Sequence, residues 1–535
     1  MFKKTHIHPD MACASLLFGL SCLVGYEFTK NGNWDFMFQC PLAAIGIFAI
    51  STIGFYLAGE LLTISLPKLK IRQVRESRKH ETLLIALFIL LCWLPHIILY
   101  YPGAITYDTF SQLRQYTGQT VWTDAHPPFS TWIMGVCLSI GRWLGSDRFG
   151  VFLFTFSMCI GGSLLFAYTF RYLKVFPRWV SVLFFAFFAF VPLWPSTFYT
   201  MTKDIPYTLM VMGFTLLLVD YVNSPEKFWK SKNKVIAISA MGILACLIRP
   251  NALLIVLTSG VGILLWKKTP SKKIGVCFAA PVLVWLVVSK LIVPAIGITQ
   301  ITSVDKYIVP FQQIARYVKY CPDDITEEQE NILKKYFYYD RLAENYNPVL
   351  ADPIKGSYVD PQSDSKEWLE VWLEFGIKHP GCYVQAWIHQ NYGYYSPIAT
   401  VVGEKGFYYN YFSLEQEQIS VDNSFANCGF LEEFSSQRIN WENKMMKIAE
   451  LPIIKLLYIP GTYFWIVVLS WILLKRCGKS CYGICLIPAA ATFVMTLFVP
   501  VNTHIRYALP LILSAPFMFA MAMNLTAVSN KENVK

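Results

Sequence analysis

The sequence reads as an all-α integral membrane protein: a polytopic bundle of about twelve transmembrane helices carrying one large extracytoplasmic loop subdomain. Three observations lead there. Only 15% of the 535 residues are charged and 55% are hydrophobic, with a mean hydropathy of +0.41. A water-soluble domain carries about 25% charged residues. The apolar residues are gathered in runs close to the length that crosses a bilayer as a helix, about 20 residues. The basic residues fall in the short connections between those runs, where the cytoplasmic side of a membrane retains them. That placement explains the formal charge of +11 and argues against a nucleic-acid partner.

The runs are Met11–Tyr26, Pro41–Leu62, Leu83–Tyr101, Phe149–Phe170, Trp179–Trp194, Ile205–Val222, Val235–Ile248, Ala252–Trp266, Ile274–Val293, Leu456–Leu474, Cys481–Val499 and Ala508–Met523. The first follows Lys3 and Lys4 without a small-residue cleavage site, so it is expected to be a retained helix and not a signal peptide. Lys68, Lys70, Arg72, Arg75, Arg78 and Lys79 place the second connection in the cytoplasm. Alternation then puts Arg171/Lys174/Arg178, Lys227/Lys230/Lys232/Lys234, Lys267/Lys268/Lys272/Lys273 and Lys475/Arg476/Lys479 on the same side, with both termini. The cell membrane is the expected location.

That alternation requires the run Phe129–Leu144 not to cross. Phe129, Trp132, Ile133, Val136, Ile140 and Trp143 share one helical face, and Thr131, Gly135, Ser139 and Arg142 share another. Such a pattern suits an amphipathic helix at the membrane interface. Four units follow: residues 1–81, two helices and a basic connection; 82–294, a transmembrane module with a first outer loop at 101–148; 295–455, the large outer loop; and 456–535, the last helices. The large loop is expected to hold helices near Phe311–Tyr320, Glu327–Tyr336, Lys366–Lys378 and Gly381–Tyr392. Its Trp368, Trp372, Trp387 and Tyr392 suit a subdomain core or interfacial anchors better than sugar stacking. The 14 cysteines show no metal or disulfide spacing and are assigned to packing.

Four polar clusters interrupt this pattern at outer helix ends. They are Tyr107-Asp108-Thr109 with Asp124-Ala125-His126-Pro127-Pro128; Lys203-Asp204; Arg249-Pro250-Asn251; and Asn502-Thr503-His504-Ile505-Arg506-Tyr507. Ionisable groups at this depth are costly and tend to mark function. Each has a plainer reading. Asp108 and Asp204 suit helix N-caps, Pro127-Pro128 a first helical turn, Lys203 a snorkelling position and Pro250 a hairpin break. Arginine is harder to explain away, because its planar fork suits phosphate oxygens. Asp124 and His126 near Asp108 could hold a divalent cation, but no ligand spacing fixes one, and the cofactor is left unassigned.

From about Leu83 onward the order of these features resembles the GT-C superfamily of membrane glycosyltransferases, such as protein O-mannosyltransferases and lipid A aminoarabinose transferases. Tyr107-Asp108 and Asp124-Ala125-His126-Pro127-Pro128 stand where that superfamily carries its first outer loop. Thr202-Lys203-Asp204-Ile205-Pro206 matches its second acidic position, and Arg506-Tyr507 with Pro510 its late Arg-Tyr. The segment Pro310-Phe311-Gln312-Gln313-Ile314-Ala315-Arg316 looks like the large loop of bacterial members. Thr109 after Asp108 departs from the paired acids of some families.

The resemblance implies inverting transfer of a sugar from a polyprenyl-phosphate-linked donor to a glycan, lipid or protein acceptor on the outer face. It implies catalytic roles for Asp108, as general base, and Asp204. It also implies substrate binding by Asp124, His126, Lys203, Arg249, Asn251, His504 and Arg506. A transporter or flippase of lipid-linked glycans is the competing class, but neither inverted repeats nor midplane breaks are evident.

Overall fold

The computed structural model describes residues 8–68, 79–266, 271–301, 304–359, 366–399 and 423–532. Of the basic positions above, Lys3, Lys4, Lys70, Arg72, Arg75, Arg78, Lys267 and Lys268 lie outside the described residues. The chain is an all-α membrane protein. Each apolar run is helical: α1 (Pro9–Lys30), α2 (Pro41–Ser65), α3 (Lys79–Leu99), then the short α4 (Tyr107–Tyr116) and α5 (Pro128–Trp143) of the first outer loop. The bundle continues with α6 (Asp147–Leu173), α7 (Arg178–Phe190), α8 (Asp204–Asn223), α9 (Lys232–Ile248), α10 (Ala252–Leu265) and α11 (Ser271–Val287). The large loop supplies α12 (Ile308–Tyr320), α13 (Glu327–Tyr336), α14 (Lys366–Lys378), α15 (Pro380–Asn391) and α16 (Ser435–Ala449). The chain returns through α17 (Pro460–Arg476), α18 (Gly483–Thr496) and α19 (Ile505–Glu532).

Among the described residues seven helices are long and apolar enough to cross a membrane, or eight if a bent pair counts as one span. Three more apolar helices are shorter. Two runs break at proline, although Pro95, Pro281, Pro488, Pro510 and Pro516 sit inside continuous helices. Val191 takes an extended backbone before Pro192 and ends α7. The segments Pro452–Tyr458 and Pro460–Arg476 meet at 83°, with Ile459 extended before Pro460.

The last helix, α19, is the axis of the bundle. It packs on α6, α8, α17 and α18 and buries Leu511, Ile512, Ala515, Phe517 and Met518. At the other extreme, α2 packs on α1 and leaves Leu42, Ile45, Ile50, Ile53 and Leu61 exposed. In water such a surface would drive aggregation, whereas lipid chains cover it. The basic ends gather on one side. Lys174 pairs with Glu81, Asn524 donates to the Tyr172 carbonyl, Ser529 donates to the Cys477 carbonyl and Tyr482 bonds Asn223.

Helix α5 turns inward a face that mixes Thr131 and Gly135 with Met134 and Leu138, while Ser139 and Arg142 stay exposed. Gln112 donates to Ser130 and Thr131, both at 2.9 Å, and the Tyr116 ring lies on Gly135. Trp132, Ile140 and Trp143 remain exposed. The helix packs on the first part of α6, through Met134 and Leu138 against Val151 and Phe154. The end of α6 that it touches is the one opposite Lys174.

The large loop folds around Phe311, Tyr317, Trp368 and Phe375. Trp372 donates to Gln313 and Trp387 to the Leu497 carbonyl, so these aromatics are structural. Backbone bonds fasten the subdomain to the bundle: Ala351 donates to Pro500 at 2.8 Å and Asn502 to Val349 at 3.0 Å.

Gly150 gives a sharp packing test, because a Cβ there would lie 2.7 Å from the Cys137 carbonyl oxygen, a backbone atom that cannot step aside. Gly150→Val is expected to destabilise the protein by about 2 kcal/mol or more. Gly46→Ala, which enters open space, should leave it unchanged or slightly more stable. Thermal unfolding in detergent compares the two.

Candidate functional site

Two short strands bring the first polar clusters together. After α3, β1 (Ala104–Ile105) pairs in parallel with β2 (Thr200–Met201), Ala104 opposite Thr200 and Ile105 opposite Met201. Thr109 locks the register by donating to the Met201 carbonyl at 2.7 Å. Both segments then start helices, α4 and α8, side by side. The expected caps are displaced: Thr106 and Lys203 occupy the N-cap positions, and Asp108 and Asp204 lie in the first turns. Their carboxylates turn to cations instead of backbone amides.

Asp108 Oδ2 receives Lys203 Nζ at 2.8 Å and the Arg506 guanidinium. Burial by itself would raise this carboxyl, but Arg506 and then Lys203 hold it well below the usual carboxylate range. Lys203 Nζ also lies 3.1 Å from His126 Nδ1. An ammonium can only donate, so Nδ1 accepts and the ring proton sits on Nε2. Burial, reinforced by Lys203, pushes His126 down to about 4, which keeps it neutral. Burial of Lys203 lowers its own pKa, with Asp108 and Asp204 opposing.

Asp204 is wholly buried. Its Oδ1 takes Arg249 and its Oδ2 lies 3.1 Å from Arg506 Nε; Thr202 donates to the same oxygen at 3.2 Å. Arg249 is extended before Pro250 and rests between Tyr207 and Tyr507, with its guanidinium carbon 5.7 and 5.6 Å from the ring centres. The resemblance assigned Asp204 a catalytic role. In the structure it has no exposed surface, and its two oxygens engage Arg249 and Arg506.

These groups border a cavity of about 1330 Å³ between the bundle and the large loop. It is lined by Asp108, Asp124, His126, Lys203, Arg249, Asn251, His504 and Arg506, so Asp204 alone of the expected site residues lies behind the wall. Asp124 accepts from the Ile301 amide at 2.7 Å, tying the first outer loop to the start of the second. Asn251 is exposed at the head of α10. Burial, with Arg506 next, lowers His504 to about 3.

Helices α4, α8, α10 and α19 begin at this cavity, as do α5 and α12. Their N-terminal ends carry partial positive charge and free amides suited to an anion. Within the cluster itself, Lys203, Arg249 and Arg506 stand against Asp108 and Asp204. Among the described residues no group of three or more His, Cys, Asp or Glu side chains is arranged to hold a metal ion.

Two parts of the cavity were not legible in the sequence. The large loop contributes Asp305, Lys306, Asp352 and Lys355, with Lys355 held by Asp305 at 2.7 Å and Asp352 at 3.3 Å. The ends of α10 and α18 contribute Leu253, Leu254, Met495, Phe498 and Val499 as an apolar flank. The charged group sits in a loop already rich in charge, and the flank has the composition of any spanning segment.

Removing Asp204 leaves Arg249 and Arg506 without their buried counter-charge. Asp204→Ala is therefore expected to cost about 3 kcal/mol or more of stability, read as a lower melting midpoint and poor recovery. Asp108→Asn, nearer the cavity, should purify normally.

Residues 117–535 match the model of DUF6020, a family of unknown function. The match takes in every expected site residue except Asp108. No curated protein and no solved structure matches the chain. By the extent of that match, the chain belongs to the DUF6020 family.

Proposed function

We propose that this protein is a membrane glycosyltransferase that moves a sugar from a polyprenyl-phosphate-linked donor to an acceptor hydroxyl at the outer face of the cell membrane. The observation that carries the reading is the division of one cavity into a cationic floor, an apolar flank and a carboxylate. Lys203, Arg249 and Arg506 with these helix N-termini suit a phosphate. Leu253, Leu254, Met495 and Phe498 suit the lipid chain attached to it. The basic connections gather at the opposite end of the bundle, and by the positive-inside rule that end is cytoplasmic. About twelve crossings, both termini inside and an α5 that does not cross follow from the same rule.

In this reading the phosphate rests on Arg249, Arg506 and Lys203. The acceptor hydroxyl approaches Asp108 Oδ1, the oxygen opposite the one both cations occupy. Its oxygen bonds to the anomeric carbon as the bond from that carbon to the phosphate oxygen breaks. The electron pair leaves on the phosphate, where the cations meet it. Asp108 is a weak base, so it aligns the hydroxyl early and takes its proton late, when the oxygen has become acidic. His126 offers Nε2–H to the substrate, Asp204 holds the arginines, and Asp124, Asn251 and His504 shape the acceptor side.

The test is purified, reconstituted protein assayed for transfer from a panel of defined polyprenyl-phosphate sugars. Asp108→Asn and Arg506→Ala should each lower turnover by about 10²-fold or more, and wild-type turnover in both contradicts the assignment. The pH profile is a further test. Asp108 and His126 both titrate below their ordinary values, so falling pH changes their charge only at about 4 or lower. The acid limb should lie there, and a limb centred near pH 6.5 would mean that an unperturbed histidine governs the rate.

A further inference from the structure

Cys321 and Cys382 lie outside the apolar runs, in the large loop, and the structure brings them together. Cys321 ends α12 and Cys382 lies in the first turn of α15. The two helices pack on each other, both cysteines pack against the same aromatic core, and their side chains are close enough to interact. A buried arginine fixes both helix ends around them: Arg316 bonds Tyr346 Oη at 3.2 Å and also Gln385, one turn beyond Cys382. Nearby Asp324 and His379 are bonded to each other at 2.6 Å, and Asp324 also holds Lys378. Both cysteines are free thiols in the structure and partly exposed, with Arg316 also beside Cys382.

We propose that Cys321 and Cys382 form a disulfide in the mature protein, stapling α12 to α15 in the subdomain that walls the cavity. The proposal rests on the extracytoplasmic placement of the large loop, since the cytoplasm keeps such pairs reduced. The bond arises by exchange with the disulfide of a thiol–disulfide oxidoreductase. One cysteine thiolate attacks that disulfide to give a mixed disulfide, and the other cysteine displaces the oxidoreductase, which departs as a dithiol with both electrons. In the folded subdomain burial pushes Cys382 up to about 11 and raises Cys321 as well. Neither is then a ready nucleophile at neutral pH, which places the exchange before the subdomain closes. The staple closes a loop of roughly 60 residues and so restricts the unfolded chain.

The experiment uses full-length protein in native membranes, quenched in acid and alkylated with a mass-tagged maleimide before or after reduction. Reduction should release two further thiols in the native chain and none in Cys321→Ser or Cys382→Ser. Peptide mapping without reductant should find the Cys321 and Cys382 peptides joined. A parallel arm places Glu328→Cys on the exposed surface of the same subdomain and labels intact cells with a membrane-impermeant maleimide. External labelling with a joined pair supports the proposal. External labelling with both thiols free overturns the disulfide and leaves the outer placement standing. No external labelling overturns the outer placement, and with both thiols free the disulfide as well.

Discussion

Arg506 is held between Asp108 and Asp204, and the cavity end of the bundle is organised around that arrangement. An arginine buried among helices is tolerable only with close counter-charges. Here one comes from the first outer loop and one from the head of α8, while α19 supplies the arginine from the axis of the bundle. Lys203 and Arg249 then share the same two carboxylates. The three cations exceed the two carboxylates by one charge, and all are held in place. Preorganised cations of this kind stabilise developing negative charge without rearranging during a reaction.

The same arginine is coupled to the large loop. The segment leading to it, Pro500–Asn502, bonds the loop at Val349–Ala351. Asn502 adds side-chain bonds to the Gly393 amide at 3.0 Å and the His389 carbonyl at 2.8 Å. Thr503 follows with φ of 57°, a left-handed conformation uncommon outside glycine. It persists because the buried contacts on either side over-determine it. Gly393 is needed opposite, since a Cβ there would collide with the Thr503 methyl. Docking of the outer subdomain and aim of Arg506 are thus one structural event, and the Cys321–Cys382 pair lies within that subdomain.

Much of the secondary structure was legible because it is local. The spacing of apolar residues gave α13 and α14 to the residue, and the capping box of Thr326 with Gln329 explains why α13 starts where it does. Amphipathicity found α5, although the side that packs joins small residues such as Thr131 and Gly135 with Met134 and Leu138. Where local pattern left alternatives, longer-range contacts decided. Thr106-Tyr107-Asp108 offers two capping residues close together, and only the tertiary pull of Lys203 and Arg506 decides between them. Proline at 192 and 460 shortened runs that composition alone extended.

The site was legible as four polar clusters but not as one place. Asp108 and Lys203 are joined by a two-residue parallel pairing across 95 residues of chain, and no periodicity announces such a contact. The burial of Asp204 was equally hidden, because a carboxylate that anchors arginines is indistinguishable in sequence from one that meets substrate. The most direct measurement is a double-mutant cycle on thermal stability with Asp108→Asn, Arg506→Gln and both together. If Arg506 and Asp108 form the joint described, their coupling should be about 1–3 kcal/mol. Strict additivity of the two substitutions would contradict it.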